Sequence, residues 1–71
     1  MDFQLDLTAY RCPLPLLMTK KALQQLQFGQ RLCVHLNENA TLNDFITLSE
    51  TLAVSLQSVP CEHGFILYFQ R

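Results

Sequence analysis

The chain has 71 residues, with five Lys or Arg against six Asp or Glu and a formal net charge of −1. A chain of this length makes one domain, residues 1–71, without room for a second core. It buries only about 60% of its unfolded surface, which rules out a deep pocket enclosed on all sides. The 49% apolar content is too high for a disordered chain, and the charge balance lacks the basic surface that nucleic acid requires.

The start, Met1-Asp2-Phe3-Gln4, has neither a basic n-region nor an apolar h-region. No apolar run approaches the roughly 20 residues of a membrane span. Cysteines number three, and their spacing fits neither a zinc knuckle nor a disulfide framework. The expectation is a reducing, cytoplasmic setting with free thiols, without membrane contact, metal or cofactor.

Residues 3–8 alternate, with Phe3, Leu5 and Leu7 on one side and Gln4, Asp6 and Thr8 on the other. Period two with one apolar face predicts a half-buried strand. Residues 9–11 connect it to a helix that runs from residue 13 or 15 to residue 27. Its predicted inner stripe is Leu14, Leu17, Met18, Ala22 and Leu26, broadened by Leu16 and Leu23. Lys20 and Lys21 cover the solvated side. Gly29 is the expected C′ residue closing the helix.

Residues 31–36 alternate again. Leu32, Val34 and Leu36 face inward, and Arg31, Cys33 and His35 share the other face. A Cys and a His two apart are two ligands short of a structural zinc site. Residues 37–40 form a polar turn. Thr41-Leu42-Asn43-Asp44 resembles a capping box, with Asn39 as an alternative cap. The second helix is predicted over 42–53, with Leu42, Phe45, Ile46, Ser49, Leu52 and Ala53 inward.

Residues 54–59 form a third strand, with Val54 and Leu56 on one face. Pro60 weakens its end or marks a sheet edge. Residues 60–64 turn into a fourth strand over 65–70, with Phe65, Leu67 and Phe69 inward and Ile66, Tyr68 and Gln70 outward. Cys61 lies in that turn, exposed enough to oxidise.

The order β-α-β-α-β-β predicts an α+β fold. Two one-sided helices lie on one face of a mixed four-stranded sheet, as a two-layer α/β sandwich. The helical crossover makes the first two strands parallel if they are neighbours, and the short last turn makes an antiparallel hairpin.

The chemistry centres on Arg11-Cys12-Pro13-Leu14-Pro15, between the first strand and the first helix. If Cys12 is the N-cap, Pro13 is N1 and Pro15 is N3. Their missing N–H groups then leave fewer donors at the helix start. The pre-proline restriction allows a second register in which Leu14 lies outside and Pro15 begins the helix. Either register sets Cys12 within about a turn of the positive helix end, where a thiolate is stabilised. Arg11 adds a neighbouring positive charge. A lone cysteine can equally be a small core hydrophobe. The flanking prolines favour the reactive reading, because a core-filling cysteine has no need of a fixed backbone.

Leu5-Asp6 followed by Cys12-Pro13-Leu14-Pro15 resembles the TusA/SirA-like sulfur-carrier family, whose hallmark is a CPxP motif at the start of the first helix. The likeness extends through Lys21-Ala22-Leu23, Gly29, Asn37-Glu38-Asn39-Ala40-Thr41 and Asp44. The family shares the β-α-β-α-β-β sandwich. The chain departs from the family pattern at three places, all near where partners would dock. Ala9 stands where many members have Gly, Leu14 stands where the carrier for transfer-RNA thiolation has Glu, and Asn37-Glu38-Asn39 replaces a common Asp-Asp-Pro.

The resemblance implies a carrier with little chemistry of its own. Cys12 would accept sulfane sulfur as a persulfide from a cysteine desulfurase or other sulfurtransferase and pass it to an acceptor protein. Arg11, Pro13 and Pro15 support that residue. Two other readings compete. One is a regulatory or interaction module that uses the open sheet face. The other is a thiol redox protein, for which no resolving cysteine is close to Cys12 in sequence.

Overall fold

The structure is a computed structural model that describes residues 2–11 and 14–71. The elements are β1 (Asp2–Asp6), α1 (Leu14–Gln24), β2 (Arg31–Asn37), α2 (Leu42–Thr51), β3 (Ser55–Cys61) and β4 (Gly64–Gln70). The sheet order is β1-β2-β4-β3. β1 runs parallel to β2, with Asp6 opposite His35, and β4 pairs antiparallel with both β2 and β3. This is the predicted α+β sandwich with a mixed sheet.

Sheet register follows the alternation of the sequence. Leu32 lies opposite Phe3 and Phe69, and Val34 lies opposite Leu5 and Leu67. Leu5, Leu32, Val34, Leu67 and Phe69 meet Leu23, Leu26, Phe45 and Leu48 from the helices in one core, whereas Phe3, at the start of the edge strand, is 42% exposed. Burying such side chains supplies about 1.5–3 kcal/mol each. Pro60 sits in β3, at the sheet edge, where its missing N–H interrupts no interior ladder. The strand extends through Pro60 and Cys61, which the sequence reading places in the turn. The hairpin loop is therefore only Glu62-His63.

Gly64 opens β4 with φ 154°. A β-carbon there would overlap the Leu36 carbonyl oxygen and lie 2.8 Å from the Asn37 Cα. The start of β4 can press against the end of β2 only because position 64 has no side chain.

The helices differ from the expectation in phase and length. Pro15, Thr19 and Leu23 are the buried residues of α1, whereas Leu14 and Leu17, expected inside, are 50% and 55% exposed. The early turns are apolar nearly all round, so hydropathy alone does not select the inner face. Contact with the sheet selects the face carrying Pro15 and Thr19. α1 also stops at Gln24 instead of residue 27. The amides of Gln25 and Leu26 reach back three residues, to Ala22 and Leu23, which is a tighter 3₁₀ ending. Gly29 is therefore not the helix C′ residue. It has φ 85° in a separate turn closed by Gln30 N–H to Gln27 O at 3.1 Å, where a type II turn needs positive φ.

α2 is rotated in the same way. Leu48 is buried, while Ile46 is 38% exposed and Ala53 is exposed. The helix ends at Thr51, because Ala53 turns left-handed with φ 56°. Val54 N–H then bonds Ser49 O, and Ala53 N–H bonds Glu50 O, the two bonds of a Schellman ending. Thr41 is the N-cap, but its side chain makes no capping bond. The predicted capping box is absent, and Asp44 N–H bonds the Thr41 backbone carbonyl instead.

Candidate functional site

β1 delivers the chain into a loop held by its own side chains. Asp6 Oδ1 accepts from the Thr8 hydroxyl at 2.6 Å and from Thr8 N–H at 3.1 Å. These two bonds hold the Asp6 carboxyl below its ordinary value, with a smaller electrostatic contribution from His35 on β2. Tyr10 N–H then bonds Leu7 O at 3.1 Å.

The loop is also tied from the neighbouring strand. Asn37, at the end of β2, donates from Nδ2 to Thr8 O and to Tyr10 O, both at 2.9 Å. Its Oδ1 accepts from Asn39 N–H at 2.9 Å. The parallel register brings this about: each β1 residue faces the residue 29 positions on, and the same offset sets Thr8 beside Asn37. The sequence reading treats Asn37 only as a turn residue. The signal available was the helical crossover, which sets the ends of the first two strands side by side.

Four residues carry the sequence-predicted site. Cys12 and Pro13 lie outside the described residues. Arg11 is exposed, and its carbonyl accepts from Leu14 N–H at 3.0 Å. α1 begins at Leu14, between the two predicted starts, and Pro15 is buried in its first turn. The first turn of α1 contains no acidic residue, so nothing on it offsets the positive helix end. Leu14 N–H is bonded to Arg11 O, and Pro15 contributes no N–H to the first turn. Tyr10, Leu14 and Leu17 are exposed apolar side chains flanking this connection in sequence.

The other thiols lie elsewhere. Cys33 is half-buried on the open sheet face, with Sγ 3.7 Å from His35 Nε2. Burial pushes its thiol up, and a hydrogen bond from Tyr68 partly opposes that shift. Cys61 is free and exposed at the end of β3. Among the described residues, no three His, Cys, Asp or Glu side chains are grouped to hold a metal ion. Among the same residues, no helix is long and apolar enough to cross a membrane.

This geometry can be set beside known proteins. Over 50 residues, 70% of the chain and 67% of its relative, it is 38% identical to "Putative sulfur carrier protein YrkI" of Bacillus subtilis. Over 41 residues it is 46% identical to "Putative sulfur carrier protein NMA0882" and "Putative sulfur carrier protein NMB0681" of Neisseria meningitidis. That stretch is 58% of this chain and 55% of each Neisseria protein, so it spans little more than half their length. The family model described as Sulfurtransferase TusA matches residues 3–68, from β1 into β4 and across the Cys12 connection. The chain belongs to the sulfurtransferase TusA family.

Proposed function

We propose that this protein is a small cytoplasmic sulfur carrier, with Cys12 as the residue that holds sulfur as a persulfide. The observation that carries the reading is the family match over residues 3–68, which includes Cys12-Pro13-Leu14-Pro15. The donor is a cysteine desulfurase or another sulfurtransferase, and the recipient is a downstream acceptor protein.

In the loading step the Cys12 thiolate attacks the outer sulfur of a persulfide on the donor. A new S–S bond forms on Cys12, the donor's own S–S bond breaks, and the donor cysteine leaves as a thiolate. No external oxidant or cofactor on this chain is needed. The requirements on the carrier are a thiolate at the start of α1 and access for a partner's active site. Arg11 favours the anion by its charge, and Pro13 and Pro15 restrict the backbone around it.

The test is intact mass after incubation with a cysteine desulfurase, cysteine and pyridoxal phosphate. Wild type should gain about 32 Da, one sulfur per persulfide, reversibly with reductant. Cys12→Ser should gain nothing. No gain in wild type with several donors would overturn the reading in favour of an interaction module. A gain that persists in Cys12→Ser would move the sulfur to Cys33 or Cys61.

A further inference from the structure

We propose that Cys33 and His35 form a separate site on the open sheet face, a low-coordinate centre for a thiophilic monovalent cation, Cu(I). The inference is independent of the carrier reading and uses no residue of the Cys12 connection.

Alternation along β2 puts residues 33 and 35 on one face, with Leu32, Val34 and Leu36 buried on the other. β2 lies between β1 and β4, so the backbone under both side chains is paired on either side. Cys33 Sγ stands 3.7 Å from His35 Nε2. Bonds of the lengths zinc makes, about 2.3 Å to sulfur and about 2.0 Å to nitrogen, close such a gap at an angle of roughly 120°. A cation of similar bond lengths therefore reaches both atoms without rearrangement of the strand. It takes the place of the thiol proton, which leaves to solvent as the metal–sulfur bond forms, with no change of oxidation state.

The neighbouring strands supply outer contacts. Tyr68, opposite Cys33 on β4, hydrogen-bonds its sulfur. Asp6, opposite His35 on β1, is a carboxyl group near enough to feel the imidazole charge. A hydrogen bond to a ligating atom and a carboxylate beside an imidazole are the partners that orient and tune metal ligands. A cavity of about 270 Å³ opens over the pair, lined by Gln4, Arg31, Leu32, Cys33, His35 and Tyr68. It leaves a third coordination position to water or a small thiol.

The donors select the cation. Among the described residues no third His, Cys, Asp or Glu joins the pair. Structural zinc takes four ligands, whereas Cu(I) favours soft sulfur, accepts imidazole and is stable at low coordination number. Charge points the same way. A monovalent cation on a thiolate is neutral, but a divalent one leaves a net positive charge in a cavity that Arg31 also lines.

The experiment uses the Cys12→Ser/Cys61→Ser chain, in which Cys33 is the only thiol. Cu(I) is titrated anaerobically near neutral pH against bicinchoninate, with thermal melts of each metal-free variant alongside. One equivalent should bind, and X-ray absorption should show sulfur and nitrogen ligation. Adding Tyr68→Phe should weaken binding about tenfold, the lower end of what an outer contact contributes, and adding His35→Ala or Cys33→Ser should weaken it by about a hundredfold or more. Unchanged affinity in His35→Ala would overturn the proposal by reducing the site to simple thiol binding. Unchanged affinity in Cys33→Ser would overturn it by placing the copper elsewhere. Zn(II) bound more tightly than Cu(I) would overturn the choice of cation. If Cys33→Ser fails to fold, His35→Ala and the absorption spectrum decide the matter.

Discussion

Arg71 reaches across 48 positions to donate from Nη1 to the backbone carbonyl of Leu23 at 2.9 Å. Leu23 lies in the last turn of α1, where its carbonyl also accepts from Leu26 N–H at 3.1 Å, and a cation there meets the negative helix end. The Arg71 backbone bonds Gln30 and Gly29 separately, so the side chain can be removed without undoing the chain's return to the sheet. Arg71→Ala should lower stability by about 1.5–3 kcal/mol, the range for a hydrogen bond from a charged group. In a domain this size that is roughly 4–8 °C of Tm per kcal/mol. A denaturant midpoint equal to wild type would disprove the stabilising role of the bond.

Ala53 occupies the left-handed C′ position of α2, which glycine fills at no steric cost. Relieving the β-carbon gains about 1 kcal/mol, and glycine's freer unfolded chain returns part of it. Ala53→Gly should therefore be a net stabilisation of about 0.5 kcal/mol, measurable as a higher urea midpoint at constant m-value. Ala53→Val should be destabilising, because a β-branched residue resists positive φ more strongly.

Thr19 is fully buried on the sheet-facing side of α1, and its Oγ1 has no hydrogen-bond partner among the described residues. A buried hydroxyl without a partner costs about 1–3 kcal/mol. Thr19→Val exchanges it for a methyl of similar shape and should raise Tm, with Thr19→Ser lowering it through a lost methyl contact. Calorimetry on the three proteins checks the order.

Cys33 gives the pH dependence. Burial raises its thiol, so the folded state prefers the neutral form. The associated stability is complete below the unfolded thiol value and is lost as pH rises through the raised folded value. Alkaline titration should thus destabilise wild type more than Cys33→Ala. Alkylation with iodoacetamide near pH 8 should label exposed Cys61 before Cys33. Tyr68→Phe, which deletes the bond that opposes the shift, should slow labelling of Cys33 further. Equal labelling rates at Cys33 and Cys61 would contradict this account.

The sheet was legible because strand alternation is a binary signal: Leu32, Val34, Leu67 and Phe69 could face only one way once one of them was buried. Helix phase was less legible. In α1 the run Leu14, Leu16, Leu17, Met18 offers apolar surface around most of the cylinder, and the buried face includes Thr19, a polar residue that no hydropathy pattern selects. Helix ends were missed for a related reason. At Ala53 and at Gln25-Leu26 the chain turns with backbone hydrogen bonds and without the glycine that would announce it. For the site, the motif at residues 11–15 was visible as a local pattern, whereas the Asn37 bonds depend on a strand pairing 29 positions apart and carry no local mark.

The missing β-carbon of Gly64 has a genetic consequence. A substitution at position 64 pushes on the Leu36 carbonyl and the Asn37 Cα, and Asn37 holds the loop that enters Cys12. In a saturation screen read out on folded protein, positions 37 and 64 should therefore score together, although they lie on separate parts of the gene. A hairpin glycine would be as intolerant of change as the strand end it packs against.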